Sequence, residues 1–407
     1  MSTLPPPSPL ATAARDREAG DIIFRMHGAA RRRRAEGADV IDSTLGVLVG
    51  DDGHLAILPT VAEVVRELPG EVSAGYPPLT GRPDLIQAIE EDLLPPGPLR
   101  NQAVSVITPG GTGAIYQAIL NVLNPGEAAL TTDLTWGPYL SIAGQAGRRV
   151  ERFAMFDAAG AFDPGAMTEA LHRLAATQGR ILLLLNSPCQ NPTGYALTRE
   201  DWGAVADAVT GLEAAVPVAV LLDVAYLRYS VGDPGWWDAV DRILERGTVL
   251  FAWSASKAFT QYGARVGALV GLHRSPEVRE EMARAFNFAA RGTWSACNHG
   301  GQLAIQRLLS DPTLAERTDR ERAALRTLLS ERWSAFSDAA DAAGLRTPRW
   351  SGGFFTCVRT ERATPVAERL MTRDVFVVPL PGAVRVAICA TPARRMSELV
   401  GALAAEM

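Results

Sequence analysis

The sequence predicts an α/β protein with a mostly parallel sheet, joined to a smaller α+β unit. Three observations carry that prediction. Between residues 104 and 309, short apolar runs of strand composition alternate with helical stretches, the pattern of repeated strand–helix crossovers. Several runs end in residues capable of chemistry, Asn186, Asp223 and Ser254 among them, and ligands of open α/β sheets bind at the carboxyl ends of strands. Beyond Asp311 the pattern changes to a long Arg/Glu/Ala-rich helical stretch, short strands and a last helix.

In chain order, the first 15 residues, opening on a proline-rich stretch, read as a flexible arm. Strands of the larger unit are predicted at 104–108, 128–133, 181–186, 218–223, 248–253 and 266–271. In the smaller unit, a helix over 311–343 precedes strands at 354–358, 375–378 and 384–388, with a closing helix after Pro392. No internal repeat interrupts this order.

At 407 residues, 47% hydrophobic and 21% charged, the chain is long enough for two core-forming units, and disordered and fibrous classes are excluded. The net charge of −5 and the scattered arginines give no basic face for nucleic acid. The one arginine run, 31–34, reads as a solvated helix end. No stretch approaches the roughly 18–20 apolar residues of a membrane span, and the N-terminus lacks the layout of a secretory signal, so a cytoplasmic location is expected. Cys189, Cys297, Cys357 and Cys389 lie far apart without CxxC pairing or a histidine cluster, which argues against disulfides and a metal site.

One residue stands out inside the cation total: of 40 Lys+Arg residues, the only lysine is Lys257. Arginine equals or surpasses lysine in ion pairs and phosphate contacts, but its guanidinium cannot form an imine, and a primary amine can. Schiff-base chemistry is one explanation for the exception; a single surviving surface lysine is the other. The surroundings favour the first. Ser254-Ala255-Ser256-Lys257, followed by Arg265-Val266-Gly267, sets the amine after a strand beside two hydroxyls and a guanidinium suited to a phosphate. A neighbouring cation and partial burial would lower the amine's pKa toward nucleophilic use.

The remaining motifs fit the same site, each with a plainer alternative. Thr108-Pro109-Gly110-Gly111-Thr112-Gly113 opens a helix after a strand, so its N–H groups and dipole form an anion cradle, or serve backbone geometry alone. Asp223-Val224-Ala225-Tyr226 leaves a carboxylate and a phenol at the sheet edge, where a lone aspartate also serves as a loop cap. Beside a pyridine nitrogen that carboxylate would keep the ring protonated, by about 5 kcal/mol at a separation of about 3 Å and an effective dielectric near 20. Asn191-Pro192-Thr193-Gly194 makes a rigid turn that can aim an amide or cap a helix. Trp136 follows another strand, placed to stack on a planar ring or to fill the core.

Taken together, TPGGTGA at 108–114, the Trp136 turn, NPTG at 191–194, DVAY at 223–226, SASK at 254–257, RVG at 265–267 and Arg385 in RVAICA resemble the pyridoxal 5′-phosphate (PLP) enzymes of fold type I, specifically class I aminotransferases of the aspartate and aromatic type. The resemblance covers almost the whole chain. It implies a large domain over 59–310 with a mostly parallel seven-stranded sheet flanked by helices, and a small domain from 16–58 and 311–407. It also implies that Lys257 holds the cofactor as a Schiff base and, once released, shuttles the substrate proton. Asp223 would pair with the pyridine nitrogen, Asn191 and Tyr226 with the phenolic oxygen, and Gly111, Thr112, Ser254, Ser256 and Arg265 with the phosphate. Trp136 would stack on the ring. Arg385 would clamp the substrate carboxylate, with Gly46 in the segment that closes over it. In a homodimer, Tyr76 would reach the neighbouring subunit's phosphate and Arg291 the distal carboxylate of an acidic substrate.

Departures are also visible. Gln190 stands before NPTG where acidic-substrate members commonly carry histidine, and Tyr139 stands where a histidine often supports the aspartate. The 290–300 segment differs in spacing, and the region before Arg385 is shortened. The leading expectation is amino-group transfer between an aromatic or acidic amino acid and a 2-oxo acid. The alternative is a biosynthetic enzyme on the same scaffold catalysing β- or γ-elimination, replacement or carbon–carbon bond formation. A non-catalytic regulator would need a DNA-binding module larger than the N-terminal arm.

Overall fold

The computed structural model describes residues 8–15 and 21–407. Of the arm expected over 1–15, residues 1–7 lie outside the described residues, and Thr12–Arg15 form one helical turn. At the centre is a seven-stranded sheet: β1 (Ala103–Thr108), β2 (Ala128–Thr132), β3 (Arg149–Phe153), β4 (Ile181–Asn186), β5 (Val218–Asp223), β6 (Thr248–Ser254) and β7 (Gly267–Leu272). Their order is β1-β7-β6-β5-β4-β2-β3, and only β7 runs antiparallel to its neighbours.

The apolar runs read from the sequence are these strands because both sheet faces are covered. Leu183, Val220 and Phe251 face one hydrophobic cluster, while their chain neighbours Leu182, Leu221 and Leu250 face another. Alternate residues thus bury to opposite sides, each large side chain contributing about 1.5–3 kcal/mol. The seventh strand, β3, is not among the predicted runs. It lies at the sheet edge with a single neighbour, β2, and its Arg149, Glu151 and Arg152 give it the appearance of a solvated loop.

The smaller unit joins both ends of the chain. Met26, Ile41 and Leu48 share a core with Phe336, Phe376, Val384 and Leu399. Its antiparallel sheet consists of β8 (Phe355–Arg359), β9 (Val378–Leu380) and β10 (Ala383–Ala387), with β10 in the middle. The strand expected at 375–378 is divided: Val375–Phe376 pairs in parallel with Ile41–Asp42, and after Val377 the chain changes partner to β10. The long helix spans Pro312–Ala342, started by Asp311, whose carboxylate accepts from the Thr313 and Leu314 amides at 2.9 and 3.2 Å. From this helix the fully buried Arg332 donates to the carbonyls of Cys389 (2.8 Å) and Val49 (2.7 Å), fastening the N-terminal segment to the C-terminal one. All four cysteines are buried and free, and no helix among the described residues is long and apolar enough to cross a membrane.

Candidate active site

The carboxyl ends of β4, β5 and β6 converge, with the register pairing Asn186 at the end of β4 with Asp223 at the end of β5. Above them lies a cavity lined by Gly111, Thr112, Trp136, Asn191, Asp223, Tyr226, Ser254, Ser256, Lys257 and Arg265. These residues come from six separate stretches of sequence.

Asp223 is buried, and burial raises its carboxyl pKa. Three groups act the other way: the Tyr139 hydroxyl, which donates to Oδ2 at 2.6 Å; the Ala225 amide, which donates to Oδ1 at 3.2 Å; and the charge of Lys257. Asn186 ties the turn together by donating to the Asp223 carbonyl at 2.8 Å and accepting the Asn191 amide at 2.7 Å. The half-buried Trp136 packs edge-on against Tyr139, ring centroids 5.4 Å apart.

Lys257 sits on the helical turn Ala255–Ala258 that follows β6. Its Nζ lies 5.7 Å from the ring centre of Tyr226 and 5.9 Å from that of Tyr262. Burial lowers the pKa of the amine, Asp223 opposes that shift, and Arg265 adds to it. Burial also pushes the Tyr226 phenol up, with Arg385 and Asn191 partly offsetting it.

An anion cradle adjoins the amine. Helix Gly110–Val122 begins directly after β1 and presents Gly111 and Thr112 at its N-terminus. Arg265 donates to Ser256 Oγ at 3.2 Å and to the Pro109 carbonyl at 3.0 Å, and Ser254 Oγ accepts the Ser256 amide at 3.2 Å. Two glycines let β7 and this helix meet: a Cβ on Gly267 would lie 2.8 Å from the Gly110 Cα, well inside van der Waals contact. The RVG and TPGG motifs are therefore one packed unit.

Arg385, on β10, is buried next to the cavity. It donates to Asn191 Oδ1 at 3.2 Å and to the Thr44 carbonyl at 2.6 Å, and its guanidinium stacks 4.3 Å above the Phe355 ring. Its Nε–H is buried without a partner. Burial lowers its pKa to about 10, still a cation at neutral pH. Gly46 borders the same ring, where a Cβ would fall 2.6 Å from Phe355 Cζ.

Two expected site residues are elsewhere. Tyr76 is 96% exposed, and Arg291, exposed at the end of helix Pro276–Thr293, donates to Ser295 Oγ at 2.8 Å. Neither lines the cavity of its own chain. Gln190 is consumed internally, donating to Leu134 and Thr132 and accepting from Thr193, so it holds the NPTG turn. Thr44, Phe355 and Tyr262, in contrast, touch functional side chains although no local motif marks them.

A buried carboxylate, an amine of lowered pKa, an anion cradle and a half-engaged guanidinium around one cavity specify a narrow chemistry. The sequence profile of aminotransferase class I and II matches residues 38–403. The chain belongs to that family. The aromatic-amino-acid aminotransferase of Paracoccus denitrificans is 32% identical over 305 residues, 73% of this chain and 74% of that protein. The Pseudomonas aeruginosa aromatic-amino-acid aminotransferase is 28% identical over 377 residues, 90% and 92%. The crystal structure of an aminotransferase from Anaerococcus prevotii superposes with a TM-score of 0.89 at 30% identity, covering 98% of each chain. Other relatives are named aspartate aminotransferases.

The aminotransferase is thus a fold type I enzyme that uses PLP to move an amino group between an amino acid and a 2-oxo acid. Its residues fit that cofactor: the cradle offers backbone N–H groups, hydroxyls and a guanidinium to a phosphate, Asp223 offers a buried acceptor, and Lys257 is the chain's only side-chain primary amine.

Proposed function

We propose that this aminotransferase acts on amino acids with aromatic or acidic side chains, as a cytoplasmic homodimer with shared active sites. The carrying observation is that Lys257 and Asp223, an amine and an acceptor, face one cavity, and that Arg385, a carboxylate clamp, is bonded to its wall residue Asn191 at 3.2 Å. PLP supplies an electron sink that stabilises negative charge at the substrate α-carbon. The chain's own groups do the rest. Asp223, whose anionic form the Tyr139 hydroxyl and the Ala225 amide support against burial, would pair with the pyridine nitrogen and keep it protonated. Asn191 and Tyr226 would bond the phenolic oxygen; Gly111, Thr112, Ser254, Ser256 and Arg265 would hold the phosphate; Trp136 would lie on the ring. Arg385 orients the substrate through its carboxylate, and Lys257, with its lowered pKa, takes the α-proton and returns it.

Support for a bulky side chain comes from the groove that Asn191 and Arg385 line, where Ile22, Ile23, Leu134 and Leu380 stand beside Asp21, Asp133 and Arg152. The names of the relatives point the same way and include acidic substrates as well. For a distal carboxylate, Arg291 of the partner subunit is the proposed ligand, with Tyr76 of the partner subunit on the phosphate. The same reading divides the chain into a small domain of 16–58 and 311–407 around a large domain of 59–310. Residues 16–20 lie outside the described residues.

The test is a screen of phenylalanine, tyrosine, aspartate and glutamate with 2-oxoglutarate or oxaloacetate as acceptor. Stoichiometric appearance of the donor's 2-oxo acid and the acceptor's amino acid is expected. Ammonia release without a new amino acid would mean elimination instead.

A further inference from the structure

Arg385 is held by the carbonyl of a residue whose own conformation is fixed from outside the cavity. Thr44 donates to Asp42 Oδ1 twice, through its hydroxyl at 2.5 Å and its amide at 3.3 Å, closing a tight turn. The other oxygen of Asp42 is engaged by His27 Nδ1, 2.8 Å away on helix Ile22–Ala35. With both oxygens held, the Asp42 carboxylate has no freedom to rotate. The turn itself is stitched to the strand that carries Arg385, where Ser43 Oγ accepts the Ala387 amide at 2.8 Å, and to the strand Val375–Phe376, where the Ser43 amide donates to the Phe376 carbonyl at 2.9 Å.

We propose that His27, Asp42 and Thr44 form a positioning chain for Arg385, and that Asp42 sets the grip on the substrate carboxylate without touching the substrate. The proposal rests on the reading of Arg385 as the carboxylate clamp. The Thr44 carbonyl and Asn191 Oδ1 take one N–H from each terminal nitrogen of the guanidinium. They leave Nε–H and the second N–H of each terminal nitrogen for a carboxylate, and their two directions fix the plane of the group. If the 42–44 turn opens, the carbonyl at 44 is free to swing, and one of those two directions is lost. The cost falls on carboxylate binding. The cofactor cradle, built from β1, β6 and β7, is untouched.

The experiment uses the PLP-loaded enzyme and compares the parent with Asp42→Ala, Asp42→Asn and Arg385→Lys. The readouts are the calorimetric Kd of 3-phenylpropionate or succinate, carboxylates without an amine, together with KM, kcat and PLP affinity. Asp42→Ala is expected to weaken the carboxylate probe and raise KM about ten-fold, the scale of one lost hydrogen bond to a charged group, with kcat and PLP affinity within about two-fold. Asp42→Asn keeps an acceptor for Thr44 and turns an amide N–H toward His27 Nδ1, which accepts it in the tautomer protonated at Nε2, so it is expected to stay within about two-fold of the parent throughout. Should Asp42→Ala fail to fold, Thr44→Val removes only the hydroxyl and should shift Kd and KM in the same direction, with Thr44→Ser restoring them. Arg385→Lys weakened with Asp42→Ala and Thr44→Val unchanged would overturn the positioning chain alone. An Arg385→Lys enzyme that binds the probe like the parent would overturn the clamp, and the chain with it. Loss of PLP affinity in step with KM in Asp42→Ala would overturn it too, by showing a general structural role.

Discussion

The Tyr139 hydroxyl donates to Asp223 Oδ2 at 2.6 Å, both groups buried, so the carboxylate that must stay charged has its charge supported by a neutral phenol. Burial raises the pKa of Asp223 and this bond lowers it. Tyr139→Phe therefore removes a stabiliser of the anion, and the carboxyl pKa rises. Because the active form is the anion, the acid limb of the kcat/KM profile should move to higher pH. At its optimum the variant should lose about ten- to a hundred-fold, the range for a bond to a charged group of about 1.5–3 kcal/mol. An acid limb that does not move would place the charge support elsewhere.

Lys257 is the single amine side chain available to the cofactor. Borohydride reduction followed by peptide mapping should place the label on it alone. Lys257→Arg keeps the charge but not the imine chemistry, and should lower turnover by at least about a thousand-fold. Label elsewhere, or undiminished turnover, would remove it from the centre of the reaction.

Arg265 links Ser256 to the Pro109 carbonyl at the mouth of the cradle. Arg265→Ala should weaken PLP binding by about ten- to a hundred-fold while leaving pyridoxal, which lacks the phosphate, nearly unchanged. Equal losses for both would mean that the residue supports the fold rather than the phosphate.

An ammonium cannot reproduce the bidentate pair that a guanidinium makes with a carboxylate, so Arg385→Lys should raise KM and lower kcat together, by about a hundred-fold in kcat/KM. The parent should reject amines that lack the α-carboxylate. Equal rates on amines and amino acids would contradict the assignment.

Tyr76 and Arg291 bear on assembly, because neither reaches the cavity of its own chain. The mass in solution should be that of a dimer, and Arg291→Ala should slow glutamate and aspartate far more than phenylalanine and tyrosine. A fully active monomer, or four substrates affected alike, would leave Arg291 as a surface residue.

The strands lining the site were readable because they are buried on both faces and therefore nearly continuously apolar, as in Leu182–Leu185 beside Leu221 and Leu222. Lys257, Asp223 and the glycine-opened helix were readable because their chemistry is local to a few residues. What escaped was non-local. Edge strand β3 carries charges that satisfy solvent on one side. Thr44 and Phe355 reach Arg385 only through the closing of the small sheet, and Tyr262 fixes the Leu48 amide (3.0 Å) from a loop that carries no motif. The departure at Gln190 was visible as a letter, but its consumption by Leu134, Thr132 and Thr193 was not.

Thr44 and Arg385 are separated by 341 positions. A ribosome makes the glycine-opened helix, Asp223 and Lys257 well before Arg385, so the emerging chain owns the parts that take up its vitamin-derived partner while it still has nothing with which to seize an amino acid. The segment around β10 must travel back to the segment around Thr44 before the guanidinium has a carbonyl to lean on. Grip on an amino acid therefore waits on the synthesis of β10, and a chain interrupted before Arg385 has no guanidinium to offer a substrate.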